Sequence, residues 1–239
     1  MLGSAGVYSG LVLTFVGLLM LLRRRTRRRG LAAIGAGLLL IIIGFLLPAP
    51  LQRAPRSASR LDEFMPAWQF HEEHELRIAA PPERVYDALL RVRADEITLF
   101  NALTWIRRGG RRQRENILNA GRSHSLIDVA THSGFVRLAD DAPRELVIGM
   151  AVIGGPAAAE HFPNPPRPDT ALAAMNFRVA PDGAGGSMVT TETRIFANSD
   201  RARRRFSWYW RLIYPGSSLI RYMWLRAIER RALTPQPRP

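Results

Sequence analysis

Two long uncharged runs at the start of the chain constrain its fold more than any other feature. Residues 5–22 and residues 30–51 contain no charged side chain. An apolar helix of about 20 residues spans the roughly 30 Å hydrocarbon layer of a bilayer. We therefore predict helices at about 5–22 and 30–49, which form a transmembrane hairpin over residues 1–51. A cleaved signal peptide would need positive charge before the first run, and none is present there.

The loop between the two runs is rich in arginine. Six of the seven residues of Arg23–Arg29 are arginines. The positive-inside rule places such a loop in the cytoplasm, so both ends of the hairpin and the following domain would be extracytoplasmic. Arg53, Arg56 and Arg60 flank the second run and count against this orientation, but they are fewer. The loop should also attract anionic lipid headgroups by roughly 1 kcal/mol per arginine.

Small residues recur along both runs and leave two interpretations open. They either let the helices approach closely or reflect the general frequency of glycine in membrane helices. The residues concerned are Gly6, Gly10, Gly17, Ala33 and Gly37.

The formal charge of +14 comes mainly from the region near the hairpin. Nine of the 34 basic residues precede Leu61, where there is no acidic residue, so the rest carries 25 basic against 20 acidic side chains. This modest excess does not predict nucleic acid as a partner. The absence of cysteine excludes disulfides, thiolate nucleophiles and cysteine-based zinc sites. The oligomeric state is not indicated.

The rest of the chain divides into a linker, one domain and a tail. Prolines interrupt residues 52–69, so we predict a linker there and a domain start near Phe70. The domain covers residues 70–232, and residues 233–239 form a disordered tail. Apolar periodicity predicts helices at 82–93 and 96–106, and a C-terminal helix capped by Asn198 or Ser199 and kinked at Pro215. Alternation predicts a strand at 73–78, and a change of period with intervening turns predicts strands at 125–129, 134–139, 145–153, 172–180 and 188–197.

This α+β order resembles a known superfamily at three stretches, Ala80–Leu89, Thr190–Phe196 and Phe206–Arg221. They resemble the START-like or SRPBCC superfamily, whose helix-grip fold of the Bet v 1 type wraps a curved antiparallel sheet around a long C-terminal helix. The resemblance covers roughly residues 70–232. It implies a hydrophobic cavity between sheet and helix, in which members bind lipids, sterols or polyketides. It carries over no catalytic residue.

Candidate ligand-binding residues lie on the predicted last strand and last helix. Alternation puts Glu192 and Arg194 on one strand face, with Arg178 on the partner strand. If this face lines the cavity, the three residues orient a ligand head group; if it faces solvent, they form cross-strand charge pairs, and we favour solvent. Aromatic residues of the last helix would wall the cavity. The candidates are Arg178, Glu192, Arg194, Tyr209, Trp210 and Ile213.

No catalytic, metal or cofactor site is predicted. His71 and His74 frame two glutamates, but in a strand residues three apart point to opposite sides, so we predict a solvated strand entry. No serine lies in a Gly-x-Ser-x-Gly turn. Arginines at 201–205 open the last helix, either on a solvated face or in contact with phospholipid headgroups.

Three functions remain open. The first is a membrane-anchored module that binds a hydrophobic or amphipathic small molecule, such as a lipid. The second is an enzyme of the polyketide cyclase or aromatase kind, which would need a polar pair inside the cavity. The third is a protein-interaction module at the membrane without a ligand.

Overall fold

The computed structural model describes residues 2–54, 58–111, 114–155, 161–165 and 167–234. They divide into two compact units. The first, the hairpin unit, comprises Met1–Pro50 with Arg204–Pro215. The second, the sheet unit, comprises Leu51–Arg203 with Gly216–Pro239.

The hairpin unit contains the two predicted apolar helices. Helix α1 spans Leu2–Leu21 and helix α2 spans Arg27–Leu46, with a short 3-10 turn at Arg24–Thr26 between them. The Thr26 hydroxyl donates to the Met20 carbonyl oxygen at 2.8 Å and helps to close this turn. Both helices are long and apolar enough to cross a membrane. The prediction of two such helices is confirmed, with α2 beginning three residues earlier, inside the arginine run.

Glycines at every seventh position join α1 to α2. A Cβ atom at Gly10 would lie 2.5 Å from the Gly37 carbonyl oxygen, and one at Gly37 would overlap the Thr14 hydroxyl. No side chain fits at such close range. The glycines therefore allow the two helices to approach closely, and their presence does not merely reflect the frequency of glycine in membrane helices. The full set is Gly3, Gly10 and Gly17 on α1 with Gly44, Gly37 and Gly30 on α2, of which only Gly10, Gly17 and Gly37 were expected from the small-residue spacing.

The sheet unit contains a two-stranded pair, β1 (Gln52–Arg53) and β2 (Ala67–Trp68), and a sheet of five antiparallel strands. The five strands are Phe70–Ile78 (β3), Val136–Asp141 (β4), Glu145–Ile153 (β5), Ala171–Pro181 (β6) and Ser187–Ala197 (β7). They lie in the order β3-β7-β6-β5-β4 and confirm the predicted strands except the one at 125–129.

The predicted strand at 125–129 is wrong, because this stretch begins a helix. Helix α6 spans Leu126–His132, and the Ser125 hydroxyl accepts a hydrogen bond from the Asp128 amide at 3.1 Å. This side-chain cap satisfies an amide of the first turn, and short apolar runs do not distinguish a buried helix from a strand.

The remaining helices support the α+β helix-grip class. Helix α4 spans Pro82–Arg91 and α5 spans Phe100–Arg107. Helix α7 runs from Asp200 to Leu233, and Ser199 caps it as predicted by accepting from the Ala202 amide at 3.1 Å. Pro215 lies inside α7 without ending it. Of the predicted disordered tail, Leu233 ends the helix, and residues 235–239 lie outside the described part of the chain.

The two faces of the sheet are covered by different parts of the chain. On one face the second half of α7 packs with α4 and α6, and the Trp224 ring meets the Phe177 ring edge-on at 4.8 Å. On the other face lies helix α3 (Leu61–Phe64), whose Leu61 is fully buried. The predicted linker at 52–69 is therefore largely part of the folded unit, with residues 55–57 outside the described chain.

Candidate ligand-binding site between the sheet and the last helix

A cluster of polar side chains lies in the interior between the sheet and α7. Alternation along β3 turns Glu72 and His74 toward the helix, where both have partners on α7. Thr193 on β7 stands opposite Glu72 in the strand register. The helix contributes Arg221 and Trp224. Glu72 is only 1% exposed, although an isolated carboxylate is among the groups least often buried.

The contacts of Glu72 are concentrated on one of its two carboxylate oxygens. Its Oε1 accepts a hydrogen bond from the Ser217 hydroxyl at 2.9 Å and lies 3.6 Å from Nε of Arg221. The guanidinium carbon of Arg221 lies 5.5 Å from the centre of the Trp224 ring. Beside this pair, the ring nitrogen Nε2 of His74 lies 3.2 Å from the hydroxyl oxygen of Ser218.

Four buried polar atoms of this cluster have no hydrogen-bond partner among the residues that the structure describes. They are Oε2 of Glu72, Oγ1 of Thr193, Nη1 of Arg221 and Nε1 of Trp224. Each such group costs about 1–3 kcal/mol of stability, so a folded protein rarely leaves several together without a use. The four atoms belong to two strands and one helix and combine an acceptor, two donors and a hydroxyl that can do both.

Burial also changes the protonation behaviour of the cluster. Burial lowers the pKa of Arg221, and the Glu72 carboxylate opposes this shift. Burial likewise lowers the pKa of His74, with Arg221 lowering it further and Glu72 and Glu73 opposing. The imidazole of His74 is therefore neutral near pH 7 and can either donate or accept a hydrogen bond.

The arrangement suits a guest with one polar end and an apolar body. Nη1 of Arg221 and Nε1 of Trp224 can donate to an oxygen of the guest, and Oε2 of Glu72 can accept from a hydroxyl or acid proton. Partly buried apolar side chains on the same two elements, Leu76 on β3 with Ile220 and Met223 on α7, offer contacts for the rest of a molecule.

Arg194 is a ligand-binding candidate if its strand face lines the cavity, whereas the sequence favours solvent exposure of that face. It is instead buried on the face of the sheet opposite the polar cluster. Its side chain is 7% exposed, and its Nη1 donates to Oδ1 of Asp62 at 2.6 Å and to the Met65 carbonyl oxygen at 3.0 Å. The guanidinium carbon lies 3.9 Å from the centre of the Trp68 ring. The expectation of solvent exposure is wrong because residues 58–68 cover this face.

Glu192 and Arg178 lie on that same covered face but differ in burial. Oε1 of Glu192 is 2.9 Å from Nε2 of His71. Burial raises the pKa of Glu192, but hydrogen bonds from His71 and Arg194 outweigh it and leave the pKa lowered. Arg178 is exposed and donates to the Ala58 carbonyl oxygen at 3.3 Å. The contacts of Arg178 and Arg194 attach residues 58–68 to the sheet, and a ligand-binding role for Arg178, Glu192 and Arg194 stays a prediction.

Tyr209, Trp210 and Ile213 belong to the part of α7 that lies in the hairpin unit. The Trp210 ring packs between the rings of Phe206 and Tyr214, with centroid distances of 5.9 and 5.5 Å. Among the helix aromatics predicted to wall a cavity, Trp224 is the one that packs on the sheet. A ligand-binding role for the other three candidates stays a prediction.

The stretch from His71 to His74 behaves only partly as predicted. The two histidines do lie on opposite faces, His71 near Glu192 and His74 near Ser218. The expected solvated strand entry is wrong for Glu72, which is buried. The signal was present in the sequence, because Glu72 and His74 alternate in step with the apolar Phe70, Leu76 and Ile78. Within the described residues, no three His, Asp or Glu side chains group as metal ligands.

No protein family matches the sequence, and no curated protein is significantly similar to it. Several solved structures are weakly similar. A protein from Mesorhizobium loti, MLL2253, is 14% identical over 67% of this chain and 98% of its own, with a TM-score of 0.33. The protein TTHA0849 from Thermus thermophilus is 12% identical over 69% and 97%, with a TM-score of 0.29. The Zhui aromatase/cyclase from Streptomyces sp. R1128 is 13% identical over 68% and 94%, with a TM-score of 0.26. Similarity at this level does not establish a shared activity.

Proposed function

We propose that this chain is a membrane-anchored binding protein for a hydrophobic or amphipathic small molecule. The polar end of the molecule would be held by Glu72, Arg221 and Trp224 between the sheet and α7. The observation that carries the proposal is the set of four buried polar atoms without partners among the described residues, which belong to β3, β7 and α7. A guest that paired with them would recover interactions that the folded chain alone does not make.

The hairpin supplies the anchor in this proposal. Its two helices expose large apolar side chains along their length, including Val12, Phe15, Leu39 and Ile42. Water disfavours such a surface, whereas the hydrocarbon layer of a bilayer accepts it. The Arg23–Arg29 loop would lie in the cytoplasm beside anionic lipids, and the sheet unit would lie outside it. A reporter fused after Pro239 tests this orientation, because activity only in the cytoplasm would reverse it.

Native mass spectrometry of the full-length protein, extracted gently in detergent, tests ligand binding. We expect a co-purified small molecule whose occupancy falls in Trp224→Phe, which deletes the indole N–H and keeps an aromatic ring against Phe177. Trp105→Phe is the matched control, because Trp105 is exposed on α5 and belongs to no candidate site, and it should retain the molecule. Absence of any bound molecule would contradict the proposal and favour a protein-interaction module.

A cyclase-type or aromatase-type enzyme is a second candidate. It is favoured by the placement of a carboxylate and an imidazole, Glu72 and His74, on one interior face beside Arg221. Such a pair can move protons during a dehydrating ring closure. If the protein is such an enzyme, the native chain should carry the product. The His74→Phe variant should carry the unreacted substrate, which is heavier by the mass of one water molecule. The same bound mass in both proteins would reject catalysis.

A further inference from the structure

The outer face of α7 within the hairpin unit is apolar where a soluble helix would be polar. Trp208 is 56% exposed, Tyr209 39% and Leu212 51%. Arg204 and Arg205 are exposed one turn earlier. Positions four apart share a helix face, so these five side chains form one stripe with cations at its start and apolar side chains after them. We call residues 204–215 the stripe segment.

The stripe segment is attached to the open end of the hairpin, away from the arginine loop, by contacts that include part of the Trp208 ring. Arg211 donates hydrogen bonds to the carbonyl oxygens of Phe45 and Leu47, where α2 ends and leaves carbonyls without helical partners. The Tyr8 hydroxyl donates to the Leu212 carbonyl oxygen at 2.6 Å. The Trp208 ring stacks on Phe45 with a centroid distance of 4.7 Å.

The length of the hairpin sets the level of this attachment. Helix α2 has 20 residues and is therefore about 30 Å long, the thickness of the hydrocarbon layer. Phe45 is the second-last residue of α2, so an α2 that spans the bilayer places Phe45 and the attached stripe segment at the boundary between hydrocarbon and headgroups. Tryptophan and tyrosine concentrate at that boundary, and arginine extends from it to lipid phosphates.

We propose that the stripe segment is a membrane-interface surface whose partner is the phospholipid headgroup layer. Trp208, Tyr209 and Leu212 enter the upper part of the acyl region, while Arg204 and Arg205 contact lipid phosphates. Lipid is favoured over a protein partner because the stripe lies next to exposed apolar side chains of the hairpin, since Trp208 stacks on Phe45 and the following Leu46 and Leu47 are exposed. A groove lined by Leu2, Ser4, Ala5, Tyr8, Tyr214 and Pro215 lies between α1 and the end of the stripe segment. The inference rests on the proposed membrane anchor and adds a second, peripheral contact to it.

Single spin labels in the full-length protein test this surface, because the chain has no native cysteine to remove. The protein is reconstituted in phosphatidylcholine vesicles with a minor fraction of phosphatidylglycerol. Labels are placed in Leu212→Cys and Trp208→Cys, with Leu39→Cys in the middle of α2 as the buried-in-lipid reference. Ala184→Cys, in the exposed turn between β6 and β7, is the water reference. Collision rates with oxygen, which partitions into lipid, and with a water-soluble nickel chelate are then compared.

We expect the oxygen-to-nickel collision ratio at positions 208 and 212 to exceed the ratio at 184 several-fold and to fall below that at 39. Ratios at 208 and 212 equal to the ratio at 184 would overturn the inference while leaving the anchor intact. Shielding of both positions from oxygen and nickel alike would indicate a protein partner and also overturn it. A water-like ratio at 39 would instead refute the membrane anchor, so the two failures are distinguishable.

Discussion

Replacing Thr193 by valine should stabilise the protein, although the hydroxyl is buried. Its Oγ1 has no hydrogen-bond partner among the described residues, so the folded state loses the hydration of this group without replacement. Relieving that loss should gain about 1–3 kcal/mol in the free energy of unfolding, and valine has nearly the same shape. Removal of the hydroxyl should also weaken binding of the co-purified molecule, because the group would face the guest.

Thr191 provides a matched control two residues away on the same strand face. Its hydroxyl donates to the Asn176 carbonyl oxygen at 2.9 Å and is also buried. Thr191→Val therefore removes a made hydrogen bond and should lower the free energy of unfolding by about 0.5–1.5 kcal/mol. The two variants change the same atoms on one surface, yet they should shift stability in opposite directions.

Thermal unfolding of the full-length protein in detergent, after the co-purified molecule has been washed out, measures both effects by circular dichroism. For a unit of this size, 1 kcal/mol corresponds to roughly 2–4 °C in Tm. Thr193→Val should therefore melt about 2–12 °C higher than the native chain, and Thr191→Val should melt a few degrees lower. If Thr193→Val without the guest melts as low as Thr191→Val, the Thr193 hydroxyl has a partner other than the guest, and the proposed ligand site loses one of its four groups.

Three further predictions concern the buried charges and the hairpin. Arg221→Met leaves the buried Glu72 carboxylate without its cation and should lower the free energy of unfolding by roughly 3–5 kcal/mol. The double variant Glu72→Leu with Arg221→Met should recover most of this loss in the same melting assay, and a double variant as unstable as the single one would contradict the prediction. Gly37→Leu should destabilise the hairpin by about 1–3 kcal/mol because its Cβ meets Thr14, while Gly35→Leu, whose Cβ meets nothing within 4 Å, should be neutral; equal melting of the two would refute the glycine contact. Burial raises the pKa of Asp62, but hydrogen bonds from backbone amides and Arg194 outweigh this effect and leave the pKa lowered. The carboxylate therefore stabilises the attachment of residues 58–68 at any pH above its ordinary pKa. This contribution is lost as the pH falls through the lowered pKa. Limited proteolysis should then cut the segment increasingly below about pH 4, and Asp62→Asn should be cut already at pH 7; protection unchanged by either would exclude the ion pair as the attachment.

The fold was largely predictable because its signals are local. Run length predicted α1 and α2, and apolar or alternating stretches bounded by turn residues predicted the long strands β5, β6 and β7. The strand predicted at 125–129 was wrong because a short apolar run is compatible with either a strand or a helix. The packing of α6 in the core decides between them. The helix within residues 58–68 was not predicted for a related reason, since two apolar residues, Leu61 and Met65, are too few to indicate a helix that covers a sheet.

The candidate site was harder to predict than the fold. Alternation correctly put Glu192 and Arg194 on one face of β7, and it would equally have put Glu72 beside His74 on one face of β3. It does not say which face meets α7, because the covering elements are distant in sequence. Arg194 was therefore expected in solvent, and Glu72 was expected at a solvated strand entry, although both are buried.

Side-chain period and run length, which act over neighbouring residues, specify two apolar helices joined by an arginine-rich turn, then an antiparallel sheet and one long C-terminal helix. Which polar groups are enclosed, and with which partners, follows instead from tertiary packing. Burial depends on what packs above each strand face, and here α7 covers Glu72 and Thr193 while residues 58–68 cover Arg194. Strand β7 thus carries a paired network on one face and, on the other, the Thr193 hydroxyl, which has no partner among the described residues.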